Sequence, residues 1–209
     1  MKCFASLLAI VALSGVALAQ GAAPAGDKDS HPKKDGVPMT PIKPAPNAEK
    51  PKGDAPSLKV GDAAPALTCD EFIKGDAVKE FEKGKVYVVE FWATWCPLCL
   101  KSIPHLSEMQ KAHKELTIIG MASSERGSGP EVLTKLRDFV KKQGDKMDYR
   151  VAFDSKRAMS KAWMEPAGQD GIPTAFVVDG EGKLAFIGHP MGKDFGKAVE
   201  AALAKAGKK

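Results

Sequence analysis

Apolar and polar positions divide the chain into three unequal stretches. Residues 3–19 (CFASLLAIVALSGVALA) are apolar and carry no charge, whereas residues 20–57 show no apolar repeat of 2 or 3.6. From Leu58 onward both repeats are present. Residues 85–92 (KVYVVEFW) form a dense β-branched and aromatic run, which predicts a strand buried on both faces. A helix is predicted over 97–113, then a strand over 116–121 (LTIIGM) and a Gly/Ser loop over 124–130. Residues 131–143 read as an amphipathic helix that turns Val132, Leu136, Phe139 and Val140 inward and stops at Gly144. A short strand over 150–153 and a short helix over 156–164 follow. Residues 174–178 and 183–187 form a hairpin around Asp179-Gly180-Glu181-Gly182, and 193–206 a closing helix. Strands that alternate with helices and finish on a hairpin and a helix predict an α/β fold, a central mixed β-sheet flanked by helices.

Composition narrows the class without changing the fold. At 209 residues the chain can bury one sizeable core, and 44% hydrophobic with 27% charged residues is ordinary for a soluble globular protein. The net charge of +5 is spread along the chain, with few aromatics among the basic residues, so solvated lysine-rich faces are expected and no nucleic-acid partner.

The first stretch sets the compartment. Met1-Lys2 is a positive start, and the apolar run closes on Ala17-Leu18-Ala19, the small-any-small pattern of a signal-peptide cleavage site after Ala19. The alternative is an uncleaved anchor, but a run of 17 residues falls short of the about 20 that span a bilayer. Residues 1–19 are therefore expected to be a signal peptide, and the mature protein to be periplasmic or otherwise exported. Residues 20–57 hold eight of the 15 prolines and read as a disordered, semi-extended tether. The folded domain is expected over 58–209. Export would leave Cys69, Cys96 and Cys99, and an odd count is not a structural disulfide framework.

Cys96 and Cys99 lie at the junction of a predicted strand and a predicted helix. Cys96 falls at the helix N-cap, where unpaired backbone N–H groups and the positive end of the helix dipole stabilise a thiolate. Pro97 suits the first helical position, which needs no N–H donor. Cys99 is one turn further in and more buried. Cys96 is therefore the expected nucleophile, and Cys99 the thiol that resolves the mixed disulfide. A structural zinc site would need four ligands, and haem attachment would need His where Leu100 stands. An inert disulfide closing so short a loop would stabilise little.

Glu90 is an ionisable residue inside the apolar strand, on the same face as Val88 and Trp92 and six positions before Cys96. Desolvation would raise its pKa and suit it to accept the Cys99 proton through water. The bland alternative is a glutamate at a sheet edge that reaches solvent or a lysine. Cys69 invites a third redox role, although a buried free cysteine packed as a small hydrophobe is commoner. His189 is either a neighbour that tunes Cys96 or a surface-loop histidine. Trp163 is expected in the core.

The run VVEFWATWCPLCLKSIP resembles the signature of the thioredoxin superfamily. Glu90, Phe91-Trp92, Trp95-Cys96, Cys99 and the helix-interior Pro104 fall at that family's spacings, and Gly171-Ile172-Pro173-Thr174 is similar to the segment that carries its cis-proline. The resemblance implies a thioredoxin-like fold in which Pro173 packs against the cysteines. It also implies that Trp95, Pro97, Ile172 and Pro173 meet the substrate, with backbone groups of Ile172 offered to an extended chain. The glutamate in place of aspartate, the export signal and Trp-Ala-Thr-Trp-Cys resemble the exported TlpA/ResA branch within the redoxin group. Val60-Gly61-Asp62-Ala63-Ala64-Pro65 is similar to the opening of that group, and the long stretch from Cys96 to Pro173 fits the branch's insertion. Pro97-Leu98 between the cysteines and the extra Cys69 depart from the pattern.

The function expected is an exported thiol–disulfide oxidoreductase that reduces protein disulfides, with oxidant and isomerase as the open alternatives for the direction of flow. It needs no cofactor and no metal, and it is expected as a monomer. Its partners are protein thiol or disulfide substrates and, as the resemblance implies, a membrane-bound electron donor. Peroxide reduction is the second reading, but Ala93 stands where peroxiredoxins place Thr, and the matching Pro is missing. A non-catalytic copper-handling module is the third, and its relatives separate their cysteines by three residues rather than two.

Overall fold

The computed structural model describes residues 56–207. The expected signal segment and nearly all of the expected tether lie outside them. The strands are β1 (Glu71–Lys74), β2 (Val86–Trp92), β3 (Leu116–Ala122), β4 (Arg150–Phe153), β5 (Thr174–Val178) and β6 (Leu184–Gly188). The helices are α1 (Pro97–Ala112), α2 (Pro130–Gln143) and α3 (Phe195–Ala206). One sheet joins the six strands in the order β1-β4-β3-β2-β5-β6. β2, β3 and β4 run parallel, while β1, β5 and β6 pair antiparallel with their neighbours.

The physical reason for this order lies in β2. All seven of its residues are buried, so the strand needs cover on both faces and a neighbour on both edges. Its pleat sends Val86, Val88 and Trp92 into a core shared with Ile103 and Leu106 of α1, Leu136 of α2 and Val199 of α3. Tyr87, Val89 and Phe91 point the other way, towards Trp163 and Phe176. There Trp163 makes ring contacts with Phe81, Phe91 and Phe176 and is fully buried, as expected for a core residue.

Three departures from the sequence reading have identifiable causes. β1 carries no clear alternation, because all four of its residues are only half-buried, and its pairing to β4 creates the strand. The helix expected over 156–164 is present over 158–164 and is π-type from Ser160 to Met164, where Glu165 N–H donates to Ser160 O at 3.0 Å. The wider turn lets Ser160, Trp163 and Met164 all face inward. α3 begins at Phe195 because Gly192 N–H and Phe195 N–H bond back to His189 O and Gly192 O in successive turns. The extra length between Cys96 and Pro173 includes α2 and β4, which extend the sheet beyond β3. Among the described residues, no helix is long and apolar enough to cross a membrane.

Candidate active site

β2 ends at Trp92, and the chain turns through Ala93-Thr94-Trp95 into α1. Cys96 is the N-cap of that helix in extended conformation, and its Sγ accepts a hydrogen bond from the Cys99 N–H at 3.1 Å. Pro97 opens the helix with no donor to satisfy. Cys96 and Cys99 form a disulfide with their Cα atoms 5.3 Å apart. Exposure separates them: Cys96 retains 4% and Cys99 none. An incoming thiol therefore reaches Cys96 first. Pro104 sits inside α1 and removes the hydrogen bond that Leu100 O would have accepted, yet the helix continues to Ala112.

Glu90 lies in the central strand between β3 and β5, not at a sheet edge, and is 1% exposed. Burial pushes its pKa up to about 8. The Ser102 hydroxyl, 3.4 Å from Oε1, opposes that rise weakly, because its single proton is better placed towards Cys99 O at 2.8 Å. Ser102 thus touches both the carboxyl and the backbone of Cys99.

The Ile172–Pro173 bond is cis, and the Thr174 hydroxyl donates to Gly171 O at 2.8 Å across the same turn. Cys96 Sγ sits 3.7 Å from Ile172 O. The structure therefore brings together Trp95, Cys96, Pro97 and Ile172 along one open groove of about 910 Å³, whose other walls include Met164 and Arg157. Trp95 and Leu98 expose apolar surface beside Cys96.

Three neighbouring loop residues that the sequence reading left unassigned grip this site. The Glu125 carboxylate accepts from Thr94 N–H at 2.7 Å and from the Thr94 hydroxyl at 2.8 Å. Ser124 O accepts from the Trp95 indole N–H at 2.9 Å, and the Arg126 guanidinium stacks 4.0 Å over the Trp95 ring. An acidic residue just past a buried parallel strand was the available signal, but a loop of this composition has no period that would aim it.

Two residues held open in the sequence stand apart. Cys69 is half-buried against the core on the far face of the sheet, where burial, with Asp154 and Asp70 adding to it, raises its thiol pKa. His189 is exposed, and its Nδ1 accepts from Met191 N–H at 3.0 Å, closing its own turn. Among the described residues, no group of three or more His, Cys, Asp or Glu side chains could hold a metal ion.

Comparison with known proteins places these features in context. A family model described as Redoxin matches residues 59–202. FixW of Rhizobium leguminosarum is 32% identical over 140 residues, which is 64% of this chain and 62% of FixW. The matched part is thus under two thirds of that relative's length. Sporulation thiol-disulfide oxidoreductase A of Bacillus subtilis is 26% identical over 126 residues, covering 58% of this chain and 70% of the relative. The solved thioredoxin domain of a thiol-disulfide oxidoreductase from Bacteroides vulgatus is 30% identical with a TM-score of 0.53, covering 69% of this chain and 98% of that one.

Proposed function

The chain belongs to the Redoxin family of thioredoxin-like oxidoreductases, and from that premise we propose that it reduces protein disulfides by dithiol exchange at Cys96 and Cys99. The observation that carries the proposal is the asymmetry of the pair, with Cys96 at the open helix N-terminus and Cys99 sealed one turn below it. In the reduced protein the Cys96 thiolate attacks one sulfur of a substrate disulfide. The Cys96–substrate S–S bond forms, and the other substrate sulfur leaves as a thiolate that takes a proton from solvent. Cys99 then gives its proton to Glu90 and attacks Cys96 Sγ. The Cys96–Cys99 bond forms, the mixed disulfide breaks, and the substrate departs with both sulfurs reduced. Trp95, Pro97 and Ile172 hold the substrate chain along the groove, and Pro173, buried behind the groove wall, fixes the turn that presents Ile172.

The sparse hydrogen-bond donors at Cys96 support the reductive reading over an oxidising one. Its Sγ receives one backbone N–H, Pro97 offers none, and Leu98 offers no charge. Strong oxidants are strong because their reduced thiolate is heavily stabilised. Residues 1–19 direct export and are removed, residues 20–57 tether the domain, and a membrane-bound donor returns the electrons to a monomeric protein outside the cytoplasm. The positive start, the apolar run and the Ala17-Leu18-Ala19 box support that location.

Equilibration of the pair in a glutathione series tests the direction. The expected potential is nearer the about −270 mV of thioredoxin-type couples than the about −120 mV of strong oxidants. A value at the oxidising end would overturn the reductase assignment and leave exchange at the pair intact.

A further inference from the structure

Glu90 faces Gly120 in the parallel register of β2 and β3, and Gly120 puts no side chain into the space beside it. Two aromatic side chains meet there instead. A Cβ on Gly120 would lie 3.0 Å from Trp92 Nε1 and 3.0 Å from Tyr149 Cε2. Both rings carry a buried polar atom that has no hydrogen-bond partner among the described residues, the Trp92 indole N–H and the Tyr149 hydroxyl. Buried donors are nearly always paired, and leaving one unmade is strongly unfavourable. Here two converge beside a carboxyl whose Ser102 contact is long.

We propose that Tyr149 is a positioning residue for Glu90: its hydroxyl and the Trp92 indole N–H, joined to the carboxylate by a water over Gly120, hold the ionised form that takes the Cys99 proton. The inference rests on the reading of Glu90 as proton acceptor and adds the groups that keep its charge. A buried water needs two to four polar partners, and the carboxylate, the indole and the phenol supply three. The electrostatics agree. Burial raises the Tyr149 pKa well above its ordinary value and the Glu90 charge raises it further, so the phenol stays a donor wherever Glu90 titrates.

Among the described residues, the groups that shift Glu90 besides burial include no charged side chain. α1 contributes Ser102 and Cys99, β3 contributes Gly120, and β5 contributes Ala175 opposite Glu90. The buried faces of α2 and α3 are apolar, with Val132, Leu136 and Val140 on one and Phe195, Val199 and Leu203 on the other. Donors to the charged form draw a carboxyl's pKa back down towards the neutral range where a base is effective.

The test follows the carboxyl carbon of Glu90 by NMR through a pH titration of the oxidised full chain, in which neither active-site cysteine ionises. Its signal is assigned by its loss in Glu90→Gln. Tyr149→Phe is expected to raise the Glu90 midpoint by about half a unit, a roughly threefold loss of ionised carboxylate below the midpoint. Trp92→Phe is expected to shift it in the same direction and serves alone if Tyr149→Phe fails to fold. An unmoved or lowered midpoint in the folded variants overturns the proposal, even if their urea midpoints fall, since a merely structural tyrosine would change only stability. Single-turnover rates of substrate release in the same variants separate the two layers. A raised midpoint with an unchanged rate profile keeps the Tyr149–Glu90 link and removes Glu90 from the chemistry.

Discussion

Glu90 shows how one residue can be half legible. Its place in the apolar run VVEFW pointed to a buried carboxyl, because alternation in a strand assigns its face whatever the rest of the fold does. The choice between a buried acid and an edge glutamate needed the sheet order, which seats β2 between β3 and β5. With a pKa of about 8, roughly a tenth of the carboxyl is ionised at pH 7, so the rate of resolution by Cys99 should rise with pH through that midpoint. Glu90→Gln is expected to slow substrate release about tenfold or more at pH 7. The difference should shrink in strong alkali, where hydroxide rather than a carboxylate can take the thiol proton. Stopped-flow release of a labelled peptide from the mixed disulfide measures both limbs. A Gln variant with the wild-type rate and profile would exclude the proton transfer. Tyr149 and Trp92 could not be attached to Glu90 in advance, since they converge through a glycine on a third stretch of chain.

Among the elements, α1 and β2 were read closely. The run of β-branched residues and the Cys-Pro start carry their own local reasons to be a strand and a helix N-terminus. The segment 124–126 had no such local reason. Its role comes from contact with Thr94 and Trp95, about thirty residues earlier. That contact is a testable element of the site. Glu125→Ala removes a charged acceptor from a half-buried backbone N–H and a hydroxyl, which is expected to cost about 1.5–3 kcal/mol in urea unfolding. Trp95 fluorescence should change with it, because Ser124 O and Arg126 hold that ring. Glu125→Gln keeps an acceptor for Thr94 and should lose less. Equal losses in both variants would show that charge rather than hydrogen bonding holds the loop. β1 was missed for a related reason: its four half-buried residues are strand only because β4 offers an edge.

The whole molecule bears the cost of its buried acid. The folded state keeps the Glu90 proton to about pH 8, whereas an exposed carboxyl releases it near 4.5. Since the folded state binds the extra proton in that window, its contribution to stability declines as pH rises from about 4.5 to 8 and is level beyond. Glu90→Gln should therefore gain on the wild type through this window. The expected gain is at most about 4–5 kcal/mol at the alkaline end and vanishes towards pH 4. Urea midpoints of both proteins across pH 4–9 check it, and parallel curves would mean that Glu90 is not the buried proton store. On this scale the division of labour is physical. Local pattern by itself determined most of the strands and helices, β1 and the π-type turn apart, that Cys96 caps a helix with Cys99 one turn inside it, and that an acid lies in an apolar strand. Those properties depend on pleat, helical period and backbone valence within a few residues. Only the tertiary structure decided that Glu90 is sealed from solvent, that the loop at 124–126 grips Thr94 and Trp95, and that Trp92 and Tyr149 meet beside Gly120. Each of these depends on packing between stretches far apart in the chain, where a single missing side chain at Gly120 lets Trp92 and Tyr149 approach the backbone.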